Sequence, residues 1–149
     1  RRELPAHNLW EVRHMGRFAY LFSKTGDTSS PFSFTSFVTA AAGATITPTS
    51  LVADVFPAEE AIITMMATPA ASSTSTITFN WIGRAHPGAA WPTVADFSTT
   101  LTLVDDSEDQ CQNKLIDCLP YYELKLLSIT NGDGANAMSN VNCWIGYKH

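Results

Sequence analysis

Residues 118–148 read CLPYYELKLLSIT, then NGDGANAMSN, then VNCWIGYK. Two runs rich in branched and aromatic residues flank a stretch of Asn, Gly, Ala and Ser, the pattern of two β-strands and their connection, which reads as the terminal hairpin of an all-β domain. In the first run Leu124 and Leu126 fall on one face and Leu127 and Ile129 on the other. A one-residue slip of this kind means either a β-bulge or burial on both sides. In the last run Val141, Cys143, Ile145 and Tyr147 share the core face, while Asn142, Trp144 and Lys148 share the other. The connection is too long for a two-residue turn, so it is expected to pack on something.

Working outward, the same period of two recurs. Residues 76–82 alternate Ile77, Phe79 and Trp81 with Thr76, Thr78 and Asn80, and residues 97–104 set Phe97, Leu101 and Leu103 against Ser98, Thr100 and Thr102. Residues 60–68, with Ile62, Ile63, Met65 and Met66, are apolar on both faces and are expected to run through the core. Residues 45–55 are strand-like but broken at Pro48, which predicts an edge strand or a bend. Residues 17–23 read as a strand buried on both sides and residues 32–38 as another, losing phase at Phe37. About eight strands at this spacing, with no sustained helical period, predict an all-β fold: an antiparallel β-sandwich or jelly roll. Two parts are expected, an extended N-terminal arm at 1–16 and the β-sandwich domain at 17–149.

Composition agrees. A chain of 149 residues can bury roughly 70% of its unfolded surface without a metal or disulfide staple. Only 15% of residues are charged, and 13 Ser and 17 Thr take up much of the difference from an average protein. Cys111, Cys118 and Cys143 lack zinc-ligand spacing and read first as three buried small hydrophobes, with a 111–118 bridge as the alternative. No window is apolar enough to span a membrane. The chain opens on Arg1 rather than Met, which reads as a processed or trimmed product.

A formal net charge of −5 argues against direct nucleic-acid binding, since phosphate contact needs clustered Lys and Arg. Arg1, Arg2, Arg13 and Arg17 nevertheless supply four of the nine cations within the first 17 residues, ahead of an acidic body. The arm also carries Leu9 and Trp10, each worth roughly 1.5 to 3 kcal/mol if buried, which predicts that it docks against its own domain or a neighbour.

A search for chemistry finds little. His86 is the body histidine available for a triad with a serine and Asp96, but no nucleophile-elbow signature accompanies it. The acidic run 105–109 lacks the glycine and terminal glutamate of an EF-hand loop and reads as a solvated loop. No enzymatic activity, metal or cofactor is expected. Trp91, on a Gly- and Pro-rich loop, and Trp144, on the outward face of the last strand, are candidates for a sugar-stacking platform or for burial against a neighbouring subunit.

The ending YYELKLLSITNGDGANAMSNVNCWIGYK resembles the last hairpin of small β-sandwich virion proteins of tailed bacteriophages, and the Thr-, Ser- and Ala-rich body is similar in composition. That resemblance implies a structural role, as a head decoration (cement) protein or a tail or head-to-tail component. Its partners would be copies of itself and other virion proteins, its assembly in the host cytoplasm and its final place the virion. Interface residues expected on this reading are Arg1, Arg2, Leu9, Trp10, Arg13, Trp91 and Trp144. A carbohydrate-binding or adhesin module using Trp91 and Trp144, with a glycan as ligand, is the alternative.

Overall fold

A computed structural model describes residues 32–33, 37–50 and 52–148. Among the described residues there are ten strands and no helix: β1 (Phe32–Ser33), β2 (Val38–Ala40), β3 (Thr45–Ile46), β4 (Val52–Asp54), β5 (Glu60–Pro69), β6 (Thr76–Arg84), β7 (Phe97–Thr102), β8 (Gln110–Asp117), β9 (Glu123–Asn131) and β10 (Met138–Lys148). They form two antiparallel sheets. Sheet A runs β1-β10-β5-β8, with β2 also pairing β10; sheet B runs β3-β9-β6-β7, with β4 also pairing β9. The closing pair of strands is therefore not the expected hairpin: β9 joins sheet B and β10 sheet A, and the two do not pair with each other. The molecule is a β-sandwich, as the alternation predicts.

The inner faces supply the core. From sheet B come Ile77, Phe79, Trp81, Leu101, Leu124, Leu126 and Ile129, and from sheet A Ile63, Met65, Met138, Val141, Cys143 and Ile145, all essentially inaccessible to water. Trp81 keeps its polar edge satisfied, its Nε1–H donating to Thr99 Oγ1 at 2.9 Å. The slip within β9 is a bulge: Asn80 lies opposite Ser128 but Trp81 opposite Leu126, so Leu127 is the extra residue and Leu126 and Ile129 return to the same inner face. A second bulge in β10 puts Asn140 in the left-handed region, at φ 50°, between Ser139 and Asn142. It lets Met138 and Val141 both face inward. Tyr147 and Lys148 have side chains outside the described residues.

The connection between β9 and β10 does pack on its surroundings. The Asn131 amide donates to the carbonyls of Ala41 and Asn136 at 3.0 and 2.9 Å. Asp133 accepts from Ser73 Oγ at 2.5 Å, from Asn136 Nδ2 at 3.0 Å and from the backbone N–H groups of Ala135 and Asn136. These bonds, Ser73's first, hold the Asp133 carboxyl well below the usual carboxylate range. The carbonyl of Asp133 also accepts from the N–H of Gly43, whose φ of 65° turns the chain after β2.

Several expectations change. Residues 60–68 form one strand, β5, whose odd-numbered side chains enter the core, but the even-numbered ones form an outer face on which Ile62 is 42% exposed. Residues 45–55, as the break at Pro48 predicts, form two short edge pieces, β3 and β4, of sheet B against β9. Within the strand expected at 32–38, Phe32–Ser33 and Val38 pair with β10 as parts of β1 and β2, and residues 34–36 lie outside the described residues. Strand β8 carries no apolar alternation; it is an edge strand, and Gln112, Asn113 and Lys114 along it are exposed. Cys118 and Cys143 are buried, but Cys111 lies opposite the outward Met66 and is exposed, and no two cysteines are paired. The strand expected at 17–23 lies outside the described residues.

Candidate interaction surface

Register decides what lies on the outer face of sheet A. Trp144, Thr64 and Asn113 share one cross-strand row; Gly146, Ile62 and Leu115 share the next; Asn142, Met66 and Cys111 share the row on the other side. Thr64 Oγ1 donates to Asn113 Oδ1 at 2.7 Å within its row. Phe37, just before β2, sets its ring edge-on to Trp144, the centroids 5.9 Å apart and the planes at 68°. Phe37 is 58% exposed and Leu115 54%, and beyond the end of β8 Leu119 is 71% exposed. With Ile62 and the half-buried Trp144 they make an apolar stripe across the sheet.

One end of this face is acidic. Glu59, Glu60, Leu115, Ile116, Asp117 and Leu119 line an open concavity of about 430 Å³. Asp117 is partly committed, its Oδ1 accepting from the N–H of Leu119 at 2.9 Å, whereas Glu59 and Glu60 stand exposed. An apolar patch rimmed by charge in this way is the usual surface form of a protein contact.

The outer face of sheet B is built otherwise. Its upper half is a polar ladder: Thr45 and Thr130 share a hydrogen bond of 2.9 Å, Asn80 Nδ2 donates to Ser128 at 3.0 Å, and Ser98 donates to Asn80 at 2.7 Å. Its lower half is covered by the chain itself. Arg84 pairs with the fully buried Glu123, donates to the carbonyl of Ala89, and lies over the Trp91 ring at 4.4 Å. Lys125 Nζ sits 5.8 Å from the same ring. Ser50 accepts from the N–H of Leu126 at 3.0 Å and brings residues 47–50 over the strand. Outward-pointing Ile82 is consequently only 3% exposed.

Of the expected interface residues, Arg1, Arg2, Leu9, Trp10 and Arg13 lie outside the described residues. Trp144 and Trp91 are placed on opposite outer faces, so the sandwich does not bring them into one platform, and the Trp91 ring is engaged by Arg84. Phe37, Ile62, Leu115 and Leu119 belong to the exposed stripe and sequence reasoning missed them. The two-faced apolarity of 60–68 and the phase break at Phe37 were the available signals.

The other candidates are occupied locally. His86 Nδ1 accepts from the N–H of Gly88 at 3.0 Å, and Asp96 accepts from the N–H of Gly83 at 2.7 Å. In the acidic loop Asp106 caps the N–H of Glu108 at 3.1 Å and Asp109 accepts from Thr68. Among the described residues no three His, Cys, Asp or Glu side chains converge to hold a metal ion. No helix among them is long and apolar enough to cross a membrane.

No family model matches the chain. No curated protein matches it in sequence. A solved structure titled "BiXyn10A CBM1 APO" is similar to it with a TM-score of 0.43 and 11% identity, over 89% of this chain and 99% of that one. A likeness of that degree transfers no residue and no role.

Proposed function

We propose that this chain is a non-enzymatic structural protein that assembles in symmetric copies through the outer face of sheet A and the arm at 1–16. Following the resemblance of its closing residues, the assembly is a virus particle, with the chain as capsid decoration or as a tail or head-to-tail component. The observation that carries the reading is the exposed apolar stripe of sheet A, which no described residue covers, on a sandwich whose sheet B covers or polarises its own outer face. Heterologous contacts between a stripe on one copy and a segment of the next close into rings or lattices. Glycan binding by a Trp91 and Trp144 platform draws no support from the geometry, because the two rings face away from each other across the sandwich.

Deleting residues 1–15 tests the reading. The truncated chain is expected to keep the cooperative unfolding of the full chain but to sediment as a monomer at concentrations where the full chain assembles. Normal assembly of the truncated chain would sink the proposal. So would glycan binding by the monomer that is lost in Trp144→Ala.

A further inference from the structure

We infer that the outer face of sheet A, from Trp144 across Ile62 and Leu115 to Leu119, is the receiving surface for residues 1–16 of a neighbouring copy. The inference rests on the assembly reading, which supplies the neighbour, and names the surface and the segment that meet. The stripe exposes aromatic and branched side chains of a kind that water disfavours, and the arm offers Leu9 and Trp10 as apolar anchors. At the stripe's far end stand Glu59, Glu60 and Asp117 around an open concavity, and the arm carries Arg1, Arg2 and Arg13.

Charge is divided along the chain in the same sense. Residues 1–31 hold five Lys and Arg against three Asp and Glu, a formal +2, while residues 32–149 hold four against eleven, a formal −7. A basic segment bearing a Trp is thus complementary both to the apolar stripe and to its acidic end, and complementarity of this kind fixes orientation as well as attraction. A second copy presenting its own stripe face to face would instead set one acidic end near another stripe and leave the arm's cations unmatched.

The place where the described chain begins fits this route. Phe32 pairs with Ile145 and Ser33 with Trp144, so the antiparallel chain enters sheet A from the direction of Lys148, whose partner on β5 is Glu60, itself opposite Asp117. The start of β1 therefore faces the acidic end. The 15 residues between the arm and Phe32 can reach up to about 50 Å when extended, enough to cross to an adjacent copy.

Cys111 supplies a built-in probe. It is exposed on the stripe's own face, opposite Met66, whereas Cys118 and Cys143 are buried. Burial pushes the Cys118 thiol up to about 12 and raises that of Cys143 too, so neither competes for a disulfide at neutral pH.

The experiment uses the full chain carrying Asn8→Cys, which leaves Leu9 and Trp10 in place. Unlabelled and ¹⁵N-labelled chains are mixed, allowed to assemble, and oxidised with copper-phenanthroline. The expected product is a disulfide from the introduced thiol to Cys111 joining one labelled and one unlabelled chain, identified by peptide mass and lost in Cys111→Ser. Separately, Glu59→Gln with Glu60→Gln is expected to raise the half-assembly concentration about tenfold at low salt, the difference shrinking as salt screens the charges.

A disulfide confined to single chains overturns the inference, because the arm then folds back on its own sandwich. Absence of any disulfide to Cys111, in a mixture that does assemble, overturns it as well. If residues 1–15 are needed for assembly but no disulfide forms, the surface assignment falls while the assembly reading stands. If their removal leaves assembly intact, both fall.

Discussion

The two outer faces of the sandwich are made from strands of similar length, yet the described residues close one and leave the other exposed. Sheet B spends Trp91, Arg84, Lys125 and residues 47–50 on covering its lower half, and Thr and Ser pairs on making the rest polar. Ile82 is buried as a result. Sheet A has no such cover among the described residues, and Ile62 and Leu115 at equivalent outward positions meet water. The difference teaches that an outward aliphatic side chain says nothing on its own about function. What matters is whether the chain brings something over it. Where it does not, the exposed area is available to another molecule.

The comparison can be broken most forcefully on the closed face. Glu123→Ala removes the fully buried partner of Arg84, whose own side chain is 17% exposed, and leaves a charge without its counter-ion. Stability by urea denaturation is expected to fall by about 2 to 3 kcal/mol, less than for a wholly buried pair because solvent reaches the guanidinium. A loss under half a kcal/mol would mean that the cover over sheet B is not held by this pair.

Trp91→Ala should cost less, about 1 to 2 kcal/mol, from the lost contact with the guanidinium and the partial uncovering of the strands beneath. Amide exchange in the lower half of sheet B should rise with it. Unchanged exchange there would contradict the role given to the loop. The smallest effect on stability is expected on the bare face. Ile62→Thr with Leu115→Thr should shift unfolding by no more than about half a kcal/mol, since neither side chain is deeply buried. The same double variant should nevertheless abolish the concentration-dependent mass increase of the full chain in sedimentation, and intact assembly would show that the stripe is not the contact.

The closing strands β9 and β10 show how far local pattern reaches. In β10 the alternation placed Val141, Cys143 and Ile145 in the core, and in β9 the slip at Leu127 left two structures open, of which the bulge is the one that forms, with Leu126 and Ile129 on the same inner face. Trp144 was correctly turned outward, because period two assigns every residue to one side or the other. The candidate surface was legible only in that one residue. Phe37 looked like a lapse in phase, and Ile62 and Leu115 looked like core or like nothing, since an apolar residue on either face of a strand reads the same until its neighbours across the sheet are known.

Strand β8 fails for a related reason. An edge strand with wet side chains on both faces has no amphipathic signal to read, and Gln110 to Asp117 becomes a strand by pairing with β5 rather than by its own pattern. The sequence by itself determined the all-β class, the inner faces and the split of charge between the arm and the body, because these follow from alternation and composition within short windows. Only the tertiary structure decided that β9 and β10 part to different sheets, that Trp91 and Trp144 face opposite ways, and that the described residues cover sheet B but not sheet A. Those outcomes depend on contacts between residues tens of positions apart, and a periodicity of two carries no information about what lies above the sheet.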